Sequence, residues 1–466
     1  MKIEKGLSRQ GFILYFAGIS LWLGVALLSA CSVSSNSAKN KDRPNVVLIL
    51  IDALRPDKLG CYGFQEGISP EIDEMARKGV QFKNVISQCS WTNPSVGSLL
   101  TSLFPRTLGL YRKTNEILND RFTTLPEILK SQNYLTIGIT ANPNLNKVNN
   151  FHQGFDRYIE SDIVWPWLNP KPGQEILTLS ARLKSVPEVF ATALDILNRD
   201  KQRPFFLFLH LMDVHTFMKT EIRPEFRSLF DHYSRERERT YYLKVRQTSS
   251  DVGVFVQTLL SKPGCENTLF IISADHGEGL FDHPDVPDSE GHAYLLYDSH
   301  IKVPLIFYHP NSGQEPRQID QEVRLIDLLP TVLDYLKISG KPSKIVGKSL
   351  LPLIKGTKER ISLPKYSVAE TRTSNVYKVA VFGKNWIYIE NRAYHPGLNL
   401  RELQSRYRKQ DGKRTDFINK EPEIAEAMAK FLKTWERKFP DGKVTPWKQE
   451  PSPETIEQLK SLGYIK

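Results

Sequence analysis

The chain has 466 residues, of which 40% are hydrophobic, 10% aromatic and 25% charged. This length allows two or three domains, and the composition is that of an ordinary globular protein, not of a disordered or fibrous one. The formal net charge of +11 is compatible with anionic lipid, polyanionic glycan or phosphorylated substrates. Because most basic residues are scattered, we do not expect nucleic acid as a partner. The basic run at 401–414 is interpreted as a solvated face or, alternatively, as a contact for an anionic surface.

The N-terminus has the pattern of a secretory signal. Three basic residues precede an apolar stretch at 11–26, and small residues then lead to Cys31. The tetrapeptide Leu-Ser-Ala-Cys at 28–31 resembles the bacterial lipobox, whose cysteine is lipidated. We therefore predict a lipoprotein signal peptide at 1–30 and a lipidated tether at 31–43. The protein would be exported to the bacterial cell envelope and anchored to the membrane through Cys31. A plain membrane-anchor helix is the alternative.

Residues 44–310 alternate strand-like and helix-like stretches. Short apolar runs rich in β-branched and aromatic residues predict buried strands, at 45–51, 134–140, 205–209, 268–274 and 303–308. Apolar spacing predicts helices at 71–78, 94–103, 125–132, 177–198, 243–260 and 325–336. Asn93 is predicted to cap the second of these helices. This rhythm predicts an α/β fold with a mostly parallel sheet sandwiched by helices.

After about residue 340 the pattern changes. Strand-like segments at 377–382 and 385–390 are joined by Gly383-Lys384, which predicts an antiparallel hairpin. A helix is predicted at 423–438. We therefore divide the rest of the chain into a main α/β domain at 44–340 and a smaller C-terminal α+β subdomain at 341–466.

Acidic and imidazole side chains follow three of the predicted strands. In an open α/β sheet, ligands bind beyond the carboxyl ends of the strands. Segments far apart in the sequence should therefore bring to one edge of the sheet Asp52, Asp213, His215, Asp275 and His276. Such a set is typical of a metal-dependent ester hydrolase. The sequence thus predicts an enzyme.

Several chemistry-bearing segments occur in a fixed order, at 52–57 with 60–63, 92–102, 210–215, 275–278, and 292–298 with 303–306. Together they resemble the metal-binding, nucleophile and substrate-binding segments of the sulfatase family, part of the alkaline phosphatase superfamily. The resemblance runs from about residue 43 to the C-terminus. It implies an alkaline phosphatase-like fold, a sulfatase-like catalytic domain at 44–340, and a divalent metal ion as cofactor.

The sequence departs from the family pattern at the position of the nucleophile. Sulfatases carry a Cys or Ser there, oxidised to formylglycine, with an Arg four residues on; this chain has Thr92 and Val96. The β-carbon of threonine bears a methyl group, so the modification cannot produce the aldehyde. Ala53 also replaces a frequent second metal-binding Asp, and Asn142 lies where a Lys-bearing motif is expected. These changes resemble superfamily members that use Thr directly, such as phosphodiesterases and phosphoethanolamine transferases.

The residues around Thr92 are consistent with a threonine nucleophile. A hydroxyl becomes a good nucleophile when a divalent metal lowers its pKa. We predict that one metal ion is bound by Asp52, Thr92, Asp275 and His276. Two carboxylates and an imidazole favour Zn²⁺ or Mn²⁺, with Ca²⁺ or Mg²⁺ possible. The start of the following helix would favour a phosphate or sulfate anion.

The remaining candidates surround this group. We predict Thr92, His215 and His292 as catalytic residues, and Asn142 and Asp213 as substrate-binding residues. A second metal held by Asp213, His215 and His292 is an alternative. His210 is interpreted as structural.

Three functions remain open. The first is a hydrolase of phosphate or sulfate esters at the cell envelope, its substrate a glycan or a lipid head group. The second is a phosphoryl-group transferase of the phosphoethanolamine type acting on an envelope glycan or lipid. The third is a non-catalytic binding protein that retains the fold. The sequence retains the predicted metal ligands and Thr92 together, which argues against a non-catalytic function.

Overall fold

The fold was analysed in a computed structural model of the chain. It describes residue 453 and residues 43–445 except 112–115, 161–184, 200–203, 219–220, 284–285, 287–289, 341, 343, 358–360, 374–375, 394–399 and 407–414. The predicted signal peptide, most of the tether, and Cys31 lie outside the described residues. Across the described part, no helix combines the length and apolar character needed to cross a membrane.

A mixed, mostly parallel sheet of eight strands forms the main layer, with the strand order β4-β3-β5-β1-β6-β7-β2-β8. Its strands are β1 Asn45–Ile51, β2 Val80–Ile86, β3 Leu135–Thr140, β4 Arg157–Ile159, β5 Phe205–Leu211, β6 Thr268–Ser273, β7 Leu305–Tyr308 and β8 Arg317–Arg324. Every residue of the central strand β1 is buried, so both faces of the sheet are covered. Only β7 runs antiparallel to its neighbours.

Helices pack on this sheet and on a second, C-terminal sheet. They are α1 Pro70–Lys78, α2 Thr92–Thr101, α3 Pro105–Leu108, α4 Leu125–Ser131, α5 Val186–Arg199, α6 Glu236–Leu260, α7 Asp298–Ile301, α8 Leu328–Tyr335, α9 Leu351–Lys355 and α10 Pro422–Lys438. The long helix α6 packs against both α1 and α5. The α/β fold with a mostly parallel, helix-covered sheet is confirmed.

The C-terminal part forms a separate antiparallel sheet. Its strands are β9 Ser367–Arg372, β10 Tyr377–Phe382, β11 Trp386–Asn391 and β12 Arg401–Ser405. The predicted hairpin is confirmed, because β10 pairs antiparallel with β11. Helix α10 packs its apolar side, including Met428 and Trp435, onto this sheet. The change of pattern after about residue 340 therefore marks a real change of architecture.

One prediction at the level of elements was wrong. Helix α2 begins at Thr92, directly after the extended residue Trp91, so Asn93 does not cap it. The basic run at 401–414 is described only at 401–406, so most of the prediction for it lies outside the described residues. Within the described part, Arg401 is exposed, as a solvated face requires. The side chain of Arg406 is only 4% exposed and is paired with Asp298 and Glu322, so this residue does not belong to a solvated face.

Candidate active site

Three neighbouring parallel strands deliver polar residues to one edge of the main sheet. Asp52 follows β1, His210 lies near the end of β5, and Asp275 and His276 follow β6. In the register of the sheet, Leu50 of β1 lies beside His210 on one side and beside the last residue of β6 on the other. Parallel strands end at the same edge, so residues far apart in sequence meet there.

Two carboxylates and two imidazoles converge at this edge. The His210 Nε2 lies 3.7 Å from Asp52 Oδ2 and 3.6 Å from Asp275 Oδ2. The His276 Nε2 lies 3.4 Å from Asp52 Oδ1 and 3.6 Å from Asp275 Oδ2. All four side chains have no solvent exposure. Most of these distances are too long for hydrogen bonds, but they suit several ligands around one cation.

Three of the converging atoms lack hydrogen-bond partners. Among the described residues, none bonds to Asp52 Oδ1, Asp275 Oδ2 or His210 Nε2. Buried polar atoms are normally satisfied, so orphans that face one another mark a missing ligand. A group formed by Asp52, His210 and Asp275 brings one potential ligand atom from each residue within 4.8 Å of the others. These residues therefore fit a divalent metal ion.

The two carboxylates have opposite pKa shifts. Burial, reinforced by the negative charge of Asp275, raises the pKa of Asp52 well above its ordinary value. Burial also acts to raise the pKa of Asp275, but His276 and His210 outweigh it, and that pKa lies below its ordinary value. Two unscreened carboxylates in one dry pocket repel each other, and a bound cation would remove that cost.

Thr92 lies beside this group, at the first residue of helix α2. Its Oγ1 is 3.4 Å from His276 Nε2 and 3.4 Å from Asn142 Nδ2. The Asn142 amide also donates to Asp52 Oδ2 at 2.8 Å. Ser95, one turn into the helix, donates to the carbonyl of Asp275 at 2.6 Å and so ties the helix to the loop after β6. The hydroxyl of Thr92 thus faces the predicted metal ligands.

A pair of histidines lies next to the metal group. The Nε2 atoms of His215 and His292 are 3.2 Å apart, and His292 Nδ1 is 3.2 Å from Glu278 Oε2. The ring of His292 stacks on that of His276 with centroids 4.5 Å apart. Burial, and then the neighbouring His292, lower the pKa of His215 well below its ordinary value. The structure therefore brings the two predicted catalytic histidines together, beside the group that contains Thr92.

Asp213 does not join this site, and its predicted role in binding substrate is not supported. Its side chain is buried, and its charged neighbours are Lys244 and Arg223. Strand β5 ends at Leu211 and the chain then turns, so Asp213 and His215 do not lie on a strand. Among the described residues, the group of close ligand atoms is that of Asp52, His210 and Asp275, and Asp213, His215 and His292 do not form another. Those three side chains are not assembled.

Sequence reasoning missed His210 as a candidate ligand. It lies in β5, and in the register of the sheet it is paired with Leu50, two residues before Asp52. A histidine next to the end of an otherwise apolar run of seven buried residues was the available signal. Such a residue cannot be solvated by water, so it needs a partner inside the protein.

Comparison with known proteins identifies the family. The sulfatase family model matches residues 44–338. The chain belongs to the sulfatase family. It is 24% identical over 406 residues to a Δ4,5-hexuronate-2-O-sulfatase of Bacteroides thetaiotaomicron, covering 76% of this chain and 79% of that protein. It is 35% identical over 155 residues to human iduronate 2-sulfatase, covering 32% of this chain and 26% of that protein. The resemblance inferred from the motifs, and the prediction of a sulfatase-like ester hydrolase, are confirmed.

Solved structures support the fold. A 2-O GAG sulfatase matches with a TM-score of 0.68 and 21% identity, covering 89% of this chain and 100% of that one. The phosphonate monoester hydrolase of Agrobacterium radiobacter matches with a TM-score of 0.67 and 17% identity, covering 86% of this chain and 96% of that one. At these identities the likeness shows the shared fold alone.

Proposed function

We propose that this sulfatase-family protein hydrolyses sulfate or phosphate esters with Thr92 as its nucleophile. The observation that carries the proposal is the position of the Thr92 hydroxyl. It lies at the start of a ten-residue helix and 3.4 Å from His276 Nε2, within a group of buried carboxylates and imidazoles. Backbone N–H groups at the start of a helix are suited to the oxygens of a tetrahedral anion.

The metal would be held by Asp52, His210, Asp275 and His276, with Thr92 alongside. Two imidazoles among the ligands favour Zn²⁺ or Mn²⁺ over Ca²⁺ or Mg²⁺. When bound, the ion would lower the pKa of a hydroxyl and offset negative charge on the ester oxygens. The residues themselves place the Thr92 oxygen and exclude water, since the whole group has no solvent exposure.

The proposed reaction is a double displacement at sulfur or phosphorus. The Thr92 oxygen forms a bond to the central atom, and the bond to the leaving alcohol oxygen breaks. A water molecule then releases the anion from Thr92 and restores the hydroxyl. His215 and His292 are placed to hold the proton that the leaving oxygen takes up, and Glu278 accepts the N–H of His292 Nδ1 and orients its ring.

The names of the relatives narrow the substrate class. Proteins similar to this chain are named as hexuronate, iduronate and N-acetylgalactosamine sulfatases, which favours the sulfate ester of a sugar. The phosphonate monoester hydrolase with the same fold keeps phosphorus esters within the proposal. The replacement of formylglycine by Thr92 leaves both anions open, because either would be bound by the same group. We propose an anionic glycan as substrate, with an anionic lipid head group as the other candidate.

A panel of chromogenic esters tests this function. Sulfate, phosphate monoester, phosphodiester and phosphonate esters would be assayed with Zn²⁺, Mn²⁺, Mg²⁺ or Ca²⁺. Thr92→Ala should lower kcat by at least about 1,000-fold, and Thr92→Ser should stay within about tenfold of wild type. Thr101→Val in the same helix is the matched control, because its hydroxyl donates to the carbonyl of Gly97, one turn earlier in the helix. Full activity of Thr92→Ala would overturn the proposal.

The same assay separates the two other candidate functions. A transferase would pass the anion to an added alcohol in preference to water, so the product would appear on the alcohol. A non-catalytic binding protein would cleave no ester with any of the four metals. Either result would replace hydrolysis as the function of this site.

We also propose that the protein is anchored at the bacterial cell envelope through lipidated Cys31. The support is the lipobox-like tetrapeptide at 28–31 after a basic and apolar N-terminus. Cys31→Ala should move the protein from the membrane fraction to the soluble fraction, with Cys265→Ala as the control. Unchanged membrane retention of Cys31→Ala would contradict a lipid anchor.

A further inference from the structure

Helix α6 passes under the loops that carry the site residues. Arg237, Tyr241 and Lys244 are spaced by four and three residues, so they lie on one face of this helix. Each of the three side chains contacts a different loop of the site. None of them belongs to the motifs by which the family was identified in the sequence.

Tyr241 holds the loop after β1, which begins with Asp52. Its hydroxyl donates to the carbonyl of Ala53 at 2.9 Å and accepts the N–H of Arg55 at 2.9 Å. Ala53 has a φ of 62°, a left-handed conformation that is unfavourable for a residue with a side chain. The bonds from Tyr241 on both sides of this turn stabilise it. The turn determines where the carboxylate of Asp52 points.

Arg237 holds the second loop. Its Nη2 donates to Glu278 Oε1 at 3.2 Å, and the other oxygen of this carboxylate accepts the N–H of His292 Nδ1. The guanidinium also lies over the ring of Phe217, 4.8 Å from its centroid. Arg237 thereby fixes the carboxylate that orients His292.

Lys244 holds the loop that contains His215. Its side chain is buried, and its Nζ donates to the carbonyl of Glu221 at 2.6 Å. Burial raises the pKa of the nearby Asp213, and the positive charge of Lys244 and then the backbone N–H of Val186, at the start of α5, oppose that rise. The loop is therefore held on both sides of His215.

We propose that this face of helix α6 positions the two halves of the active site. Tyr241 positions the metal half, and Arg237 and Lys244 position the histidine half. The metal half consists of Asp52, His210, Asp275 and His276, and the histidine half of His215 and His292. The inference rests on the proposed function of the site. Arg237, Tyr241 and Lys244 are positioning residues, because they act through Asp52, His292 and His215. The two halves should consequently respond to different substitutions.

Tyr241→Phe tests the metal half. This variant removes only the hydroxyl that bonds to the Ala53 turn, so the affinity for Mn²⁺ or Zn²⁺ alone should fall about tenfold in calorimetric titration. Tyr242→Phe is the matched control, since Tyr242 is the adjacent buried tyrosine and packs against Phe64 and Tyr233. The control should bind the ion as wild type does.

Lys244→Met tests the histidine half. The kcat should fall about tenfold while the metal affinity and KM stay within about twofold of wild type. Lys262→Met, at an exposed lysine, is the control. Because Lys244→Met alone leaves Asp213 without its main charge partner, the double variant Lys244→Met/Asp213→Asn is included as a neutral pair. It should fold and show the same selective loss of kcat.

The outcomes separate the two proposals. If wild type binds no divalent ion and cleaves no ester, both the function and this inference are overturned. If wild type does both, and the variants lose thermal stability without the separate changes in metal affinity and kcat, the inference alone is wrong. A loss of metal affinity in Tyr241→Phe together with a selective loss of kcat in the Lys244 variants supports it.

Discussion

At the scale of single residues, the site depends on how buried charges are balanced. Asp52 and Asp275 have no solvent exposure, and no arginine or lysine pairs with either of them among the described residues. Isolated buried carboxylates are costly, so such a pair persists where a cation or a proton compensates. A divalent metal ion bound between the two carboxylates would supply that compensating charge.

His210→Asn should weaken the binding of a divalent ion by at least about tenfold, because it removes an imidazole that faces both carboxylates. The measurement is the metal content after dialysis, followed by titration with Mn²⁺ or Zn²⁺. His309→Asn is the control, since His309 lies at the other end of the fold and contacts Tyr335 and Asn267. Equal metal binding by the His210 variant and wild type would remove His210 from the ligand set.

The sequence allowed most of this group to be predicted, but not all of it. Asp52, Asp275 and His276 follow strands directly, and a strand end is readable from an apolar run. The structure does not bring Asp213 to this group, because the direction of the chain after a strand depends on the turn, and here the N–H of Thr216 donates to the carbonyl of Met212. Whether a side chain points to the site or to Lys244 is set by that turn, which no residue pattern revealed.

At the scale of elements, the loop after β6 and helix α7 approach each other more closely than side chains allow. The N–H of Gly277 donates to the carbonyl of His300 at 2.9 Å. A Cβ on Gly277 would lie 2.0 Å from the carbonyl oxygen of Ser299. Glycine is required here because a backbone atom occupies the space of a side chain. The neighbouring His276 depends on this contact, since its Nδ1 is 2.8 Å from the Gly277 carbonyl.

Gly277→Ala should therefore lower both stability and metal affinity. The backbone must shift to relieve the contact, at a cost of about 1–3 kcal/mol, and His276 shifts with it. The measurements are urea unfolding and metal titration. Gly383→Ala is the control, because its Cβ would be 3.1 Å from the nearest atom, in the ring of Tyr366. A Gly277 variant that binds metal as tightly as wild type would show that the loop position does not depend on this contact.

The strands that escaped prediction lie at the edges of the sheets or next to them. Strand β8 reads RQIDQEVR, with polar residues on the exposed side of an edge strand, so no apolar run signals it. Strand β2 contains the polar pair Lys83-Asn84, where the pairing with β8 also shifts its register. Central strands such as β1 were readable because burial on both faces requires continuous apolar sequence.

At the scale of the whole molecule, a buried ionic network joins the C-terminal sheet to the main domain. Glu370 of β9 is 2% exposed and accepts the backbone N–H of Arg106 at 3.0 Å. The Arg106 guanidinium bonds to Asp441 at 2.9 Å and stacks on Trp435, 4.9 Å from the ring centroid. Because none of these residues is one of the predicted site residues, we interpret the network as structural.

Glu370 makes the stability of this junction depend on pH. Burial, opposed by Arg106 and reinforced by Asp441 and Glu436, raises the pKa of Glu370 to about 7 from an ordinary value of 4.5. Between these two values the folded state binds a proton that the unfolded state has released. The free energy of unfolding therefore falls as pH rises through this window, by up to about 3 kcal/mol.

Glu370→Gln should remove this dependence, because a neutral amide keeps the oxygen that accepts the Arg106 N–H but cannot ionise. Relative to wild type, the variant should gain stability between about pH 5 and about pH 8, with most of the change completed by about pH 7. Urea unfolding at both pH values measures the difference, and Glu423→Gln at an exposed position of α10 is the control. If the stability difference between Glu370→Gln and wild type is the same at both pH values, then Glu370 is already ionised at the lower one. Arg106 would in that case outweigh the effect of burial, and the network would be an ordinary buried ion pair.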